Sequence, residues 1–180
     1  MMADMHSFLI EKLKSINSDI TAQKIELKDI VFEERMKLLC FHCACYNSTF
    51  TCPPKIPEIN YKKMIEDEYE NALAVYCVFD VDEQTFPSIR KKSTNILHKA
   101  LLKLEKVLWD NNFPTAVAFI GGGCKLCKDG CGKEKCNNPY AARISMEATG
   151  INVVKTYKHI GVDIIFPPQN TLGRYGLIVW

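Results

Sequence analysis

The sequence has no apolar run near the ~20 residues that a membrane-spanning helix needs, which argues against a bilayer-embedded bundle. Neither sign of charge dominates. There are 23 lysines and arginines against 21 aspartates and glutamates, and the net +2 is too small to imply nucleic acid by itself. No linker-like stretch or internal repeat interrupts the chain, so one domain over residues 1–180 is expected. The glycines Gly121 to Gly123 have no G-K-[ST] or G-x-G-x-x-G continuation, so they do not read as a nucleotide-phosphate cradle. With 47% hydrophobic and 24% charged residues, disordered, collagen-like and coiled-coil architectures are all disfavoured. The stretch from Met1 to Ile20 sets Asp4 and Glu11 around a short apolar patch, as an amphipathic helix would and a secretory signal would not. A soluble, cytoplasmic chain is the expectation. A chain of 180 residues can bury roughly 70% of its unfolded surface, so it needs no covalent staple to fold.

What the chain does have is cysteine, nine of them. An odd number crowded into short segments argues against a secreted disulfide framework and for thiols kept free for metal. Cys40, Cys43, Cys45 and Cys52 form one group, and Cys124, Cys127, Cys131 and Cys136 another. The ninth, Cys77, lies in the β-like run "NALAVYCVFDV" and reads as a buried structural thiol.

Between the groups, the pattern predicts a helix over 3–16, a strand within "QKIELKDIVF", a short helix near 60–68 and a strand over 71–80. From Pro87 to Asn111 apolar residues recur every three or four positions, the pattern of a long amphipathic helix lying over a sheet. A buried strand follows at 115–120, and the strand, helix, strand order suggests a parallel pair with a crossover. Asn138 and Pro139 read as the cap and first position of a helix that Gly150 stops. "VDIIFPP" and "RYGLIVW" are candidate strands. The expected fold class is therefore α/β: a single domain with a small mixed sheet, a long crossover helix and two cysteine-rich metal-binding loops. Residues 1–30 would supply the N-terminal helix and lead-in strand.

Thiolates are soft ligands that select zinc, copper(I) or iron–sulfur clusters, and neither group offers the oxygen-rich set that calcium or magnesium wants. Zinc ribbons present two C-x2-C pairs across a hairpin, whereas the second group runs C-x2-C-x3-C-x4-C, with Gly130 and Gly132 letting the backbone wrap closely. That is closer to a cluster-binding loop. Cys52 is followed by Pro53 and Pro54, which would fix the direction in which the chain leaves a ligand and remove donors that a crowded cluster cannot satisfy. Lys125, Lys128, Lys133 and Lys135 surround the second group and would offset the charge of an anionic cluster, with Asp129 and Glu134 opposing them. His42 lies inside the first group and is a further possible ligand.

The segments "CFHCACYNSTFTCPP" and "GGGCKLCKDGCGKEKCNNPYAARISMEATGI" resemble the cysteine-rich predicted metal-binding proteins of unknown function from anaerobic bacteria and archaea. The family pattern is met at Cys40, Cys43, Tyr46, Cys52, Pro53 and Pro54, and again at Cys124, Leu126, Cys127, Cys131, Cys136, Pro139, Arg143, Ser145, Met146, Glu147, Ala148 and Gly150. The resemblance spans residues 35–180. Asn47 stands where the family usually has glycine, and Cys45 is an addition. What the resemblance implies is a cysteine-bound metal centre of the iron–sulfur type, with no reaction attached.

Arg143 and Glu147, four apart, would share a face of the helix expected after the second group. They read as a structural ion pair or, as catalytic candidates, as a hydrogen-bond donor to sulfur or anion and a carboxylate that handles a proton. Three functions fit. The first is a redox protein whose one or two 4Fe-4S clusters carry electrons to a partner protein. The second is an enzyme in which one iron, with Cys45 an exchangeable ligand, is left to water, His42 or a small-molecule substrate for reductive or sulfur-transfer chemistry. The third is a zinc-stapled structural module.

Overall fold

A computed structural model describes residues 4–180 of the chain. Helix α1 (Met5–Ile16) starts at Asp4, whose carboxylate accepts the His6 backbone N–H at 3.3 Å, and it buries Leu9 and Leu13 from one face. Ala3, where the sequence pattern starts this helix, lies outside the described residues. Strand β1 (Thr21–Ile25) is shorter than "QKIELKDIVF" suggests, because the chain turns into a 3-10 turn at Leu27–Asp29. Helix α2 (Glu34–Phe41) has no buried residue and no apolar stripe, which is why periodicity does not reveal it. Helix α3 (Tyr61–Glu68), strand β2 (Ala72–Asp80), helix α4 (Phe86–Asp110) and strand β3 (Val117–Ile120) lie where the pattern puts them. Helix α5 (Val153–His159) and strand β4 (Thr171–Val179) complete the chain.

The four strands form one sheet in the order β1-β2-β4-β3, and all three pairings are antiparallel. The expected parallel pair is therefore corrected. Strands β2 and β3 do point the same way, linked by α4, but β4 inserts between them to give a split β-α-β unit. On one face, Leu73 and Val75 of β2 pack with α1 and with Leu97, Leu101, Leu104 and Leu108 of α4. On the other, Ala72 and Ala74 pack with Tyr61, Ile65, Ile151 and Tyr157. Burial on both faces produces the continuous apolar runs more usual in parallel sheets, so the sequence could not separate the two pairings. Gly176 lets α4 press down, since a Cβ there would stand 2.5 Å from Leu101 Cδ1.

Two further expectations fail. Residues 138–150 form no helix: one turn closes at Asn138, where Ala142 N–H donates to Asn138 O at 3.0 Å. The chain then runs extended until a 3-10 turn at Glu147–Thr149, which Gly150 ends with φ of 96°. "VDIIFPP" is an irregular loop with no strand. It offers no ladder partner, and prolines at 167 and 168 remove two donors.

The two cysteine loops meet beyond the end of β3, the first following α2 and the second following β3 itself. The second runs from the end of β3 back to Ser145, where Ile120 and Ser145 make an isolated parallel bridge. The first is held beside it by the pairing of Phe32 with Ile151, by Glu33 N–H donating to Gly150 O at 2.9 Å, and by Asn152 N–H donating to Val31 O at 2.7 Å. Those bonds set α2 against the Glu147–Thr149 turn.

Candidate metal centres

Cys40 sits in the last turn of α2, and consecutive tight turns carry the chain on through Cys43 and Cys45, closed by Tyr46 N–H on Cys43 O and Ser48 N–H on Cys45 O. Asn47 has φ of 55°, and its N–H donates to Pro53 O at 2.8 Å. Asparagine is among the few residues other than glycine that enter the left-handed region readily, so the loop keeps the geometry that a glycine would allow. Cys52 opens a turn in which Lys55 N–H donates to Cys52 O at 3.1 Å across a cis Pro53–Pro54 peptide, the proline-specific type VI form. The paired prolines thus reverse the chain directly behind Cys52, which is 5% exposed.

The four thiols Cys40, Cys43, Cys45 and Cys52 line one cavity of about 330 Å³, together with the backbone of Gly122 and Gly123 and the Glu147 side chain. Burial, then Glu147 and the other thiols, push Cys40 up to about 11. Burial likewise raises Cys45 and Cys52. Without a cation these groups resist sharing negative charge; a bound metal reverses that preference, because coordination deprotonates the thiol.

Cys124, Cys127, Cys131 and Cys136 line a second, separate cavity of about 500 Å³. The expected glycine wrapping is present: Gly130 has φ of 86°, and a Cβ on Gly132 would stand 2.0 Å from Lys135 O. Asn95 of α4 pins the loop by donating its side-chain N–H to Lys125 O at 3.0 Å. Lys125 and Lys128 face this cavity, whereas Lys133, Lys135, Asp129 and Glu134 are not among its walls. Arg90 and Lys91 of α4 join it, and the apolar recurrence that reveals the helix gives no sign of that role.

The two sets are neighbours. A Cβ on Gly123 would lie 3.2 Å from Cys45 Sγ and 3.8 Å from Cys52 Sγ, and the next residue is Cys124 of the second set. This contact explains the third glycine of the run better than any phosphate. In each set a backbone N–H reaches back to sulfur: Cys45 N–H to Cys43 Sγ and Asn138 N–H to Cys136 Sγ, both at 3.4 Å. The Leu126 N–H does the same for Cys124 and offsets part of the burial that raises its pKa.

The expected Arg143–Glu147 pair does not form. Arg143 lies in extended chain and clamps Glu105 of α4 through Nε at 2.8 Å and through a short contact from its terminal nitrogen. Glu105 is 1% exposed and also accepts the Ala118 N–H of β3 at 2.9 Å. Arg143 further donates to the carbonyls of Tyr140 and Ala142. It is an anchor joining α4, β3 and the exit of the second loop, and spacing alone could not name a partner 38 residues away. Glu147 instead accepts the Gly122 N–H at 3.1 Å, with burial raising its pKa. His42 caps α2, is exposed, and packs edge-on against Phe41 outside the cavity walls. Cys77 is 2% exposed on β2 and is pushed up to about 12 by burial, as a structural thiol should be.

Among the described residues no three cysteine, histidine or acidic side chains converge tightly enough to hold a single ion. The thiols line cavity walls instead of meeting at a point. Their chemistry nonetheless fits a soft metal group: eight thiols, sulfur-directed N–H donors, and glycines where side chains would obstruct. No helix among the described residues is long and apolar enough to cross a membrane. Searches of curated proteins and of solved structures gave no match. Residues 23–180 match the family model described as "Predicted metal-binding protein (DUF2284)". The cysteine sets, their adjoining motif and this match agree, and the chain belongs to that family of predicted metal-binding proteins.

Proposed function

We propose that the chain is an iron–sulfur redox protein with a 4Fe-4S cluster on each cysteine set, passing electrons to or from a partner protein. The observation that carries this reading is the division of eight cysteines, four and four, between two adjoining cavities. When bound, such clusters supply reversible one-electron transfer. The chain's own residues hold the group through Cys40, Cys43, Cys45 and Cys52 in one cavity and Cys124, Cys127, Cys131 and Cys136 in the other. The N–H groups of Cys45, Leu126 and Asn138 stabilise charge on sulfur, and Gly123 keeps the space between the sets clear. Adjacent centres in one rigid chain suit stepwise electron passage.

One observation favours the enzyme reading as a second: the cavity at Cys124–Cys136 measures about 500 Å³, within the range of about 300–1,000 Å³ usual for small-molecule sites. Visible and electron paramagnetic resonance spectra of protein purified without oxygen test the proposal. Broad visible absorption that bleaches with dithionite, with a paramagnetic signal appearing on reduction, is expected. A colourless, spectroscopically silent protein carrying zinc would leave only the zinc-stapled module.

A further inference from the structure

Four cations face the second cavity: Arg90 and Lys91 from α4, Lys125 and Lys128 from the cysteine loop. No carboxylate lines that cavity, and none of the four makes an ion pair among the described residues. A fifth cation, Arg174 of β4, lies just behind them, donating to Ser93 Oγ and to the Arg90 carbonyl at 2.9 Å each and making no ion pair among the described residues. Lys125 is half-buried, reaching only the Thr94 hydroxyl at 3.5 Å. Arg90, Lys91 and Lys128 are exposed, and with Lys125 they share one concave wall. Holding like charges together at a partly buried site is unfavourable unless an anion offsets them.

A thiolate-bound cluster supplies part of that anion. Four thiolates around a 2+ core leave about 2−, which offsets two of the four lining cations and leaves about two positive charges facing open space. The opposite wall carries hydrogen-bonding groups from the first cysteine loop, Ser48, Thr49 and Thr51, with Asn138 beside them. Concave shape and surplus cations together select a small molecule bearing oxygens and about two negative charges. A protein partner would instead need these cations on an open, convex surface.

We propose that the cavity between the Cys124–Cys136 loop, α4 and the Ser48–Thr51 wall binds a small dianionic oxyanion, of the phosphate or dicarboxylate class. This rests on the two-centre reading above and gives the second cavity an occupant beside its cysteines. Arg90 and Lys125 are the main charge partners, with Asn138 beside them in the cavity wall.

Calorimetric titration of the oxygen-free, metal-loaded full chain with inorganic phosphate and, separately, with malonate tests the site. Arg90→Gln/Lys91→Gln removes two exposed cavity cations; Lys133→Gln/Lys135→Gln removes the same charge from the loop outside the cavity. Saturable one-to-one binding of either anion, weakened tenfold or more by the first pair and less than twofold by the second, is expected. The anion that binds identifies the class. Absence of saturable binding to both, or equal weakening by both variant pairs, overturns the proposal. Iron and sulfide are assayed on the same samples. Bound iron with no anion binding rejects the anion site alone, whereas anion binding without iron rejects the cluster reading and keeps the site.

Discussion

Cys45 changes the ligand count. Spacing alone makes it an exchangeable extra, two residues from Cys43. The fold places it in the same cavity as Cys40, Cys43 and Cys52, with its sulfur against Gly123. Under the proposed two-cluster reading all eight thiols would be ligands, so Cys45→Ser should lose about as much iron as Cys43→Ser, roughly half in each case. Iron analysis of the two variants checks this, and retention of nearly all iron by Cys45→Ser would restore the open-iron reading. Gly123→Ala should disturb the first centre without replacing any cysteine, because its methyl group would press on Cys45 Sγ at 3.2 Å. The variant should lose the first set's iron and keep the second's, giving about half the metal with an unchanged helix signal. The cysteines were legible in the sequence because the residue type itself announces the chemistry. The Gly123–Cys45 contact was not, since it depends on two loops 78 positions apart being brought to one end of the sheet.

At the scale of elements, α4 was legible end to end because its apolar stripe is the signal that periodicity measures. Helix α2 was missed because it buries nothing; its place depends on Glu33, held by Arg35 Nε at 2.7 Å, Asn152 Nδ2 at 2.7 Å and Lys155 Nζ at 2.5 Å. The expected helix at 138–150 failed for a different reason. Asn138, Pro139 and Gly150 are good helix punctuation, but Arg143 between them is drawn across to Glu105, and Ser145 pairs with the end of β3. Local signals lost to a buried ion pair. Breaking such a pair from one side leaves an uncompensated charge, so Glu105→Gln should destabilise the fold by about 3 kcal/mol in urea unfolding. It should also lower iron retention at the second set more than at the first. A cost below about 0.5 kcal/mol, the range of an exposed pair, would show that Arg143 anchors nothing.

For the whole molecule, the α/β class and the helix-over-sheet layering were readable from the alternation of strand and helix patterns, while strand order was not. A chain that covers both sheet faces looks the same whether its neighbours run parallel or antiparallel, and only β4, the last strand, decides the order by entering between β2 and β3. Both apolar layers are built without any metal, and of the eight cysteines in the two loops only Cys124 packs against one of them. Metal removal should therefore leave most of the circular dichroism helix signal in place while protease cleavage begins within 42–59 and 121–142. Collapse of the helix signal would mean that the metal organises the core. The central claim, two thiolate-held clusters side by side, is tested most directly by counting iron and acid-labile sulfide in protein purified and kept without oxygen. About eight of each per chain is the predicted result. Zinc at one or two per chain with no sulfide would contradict it.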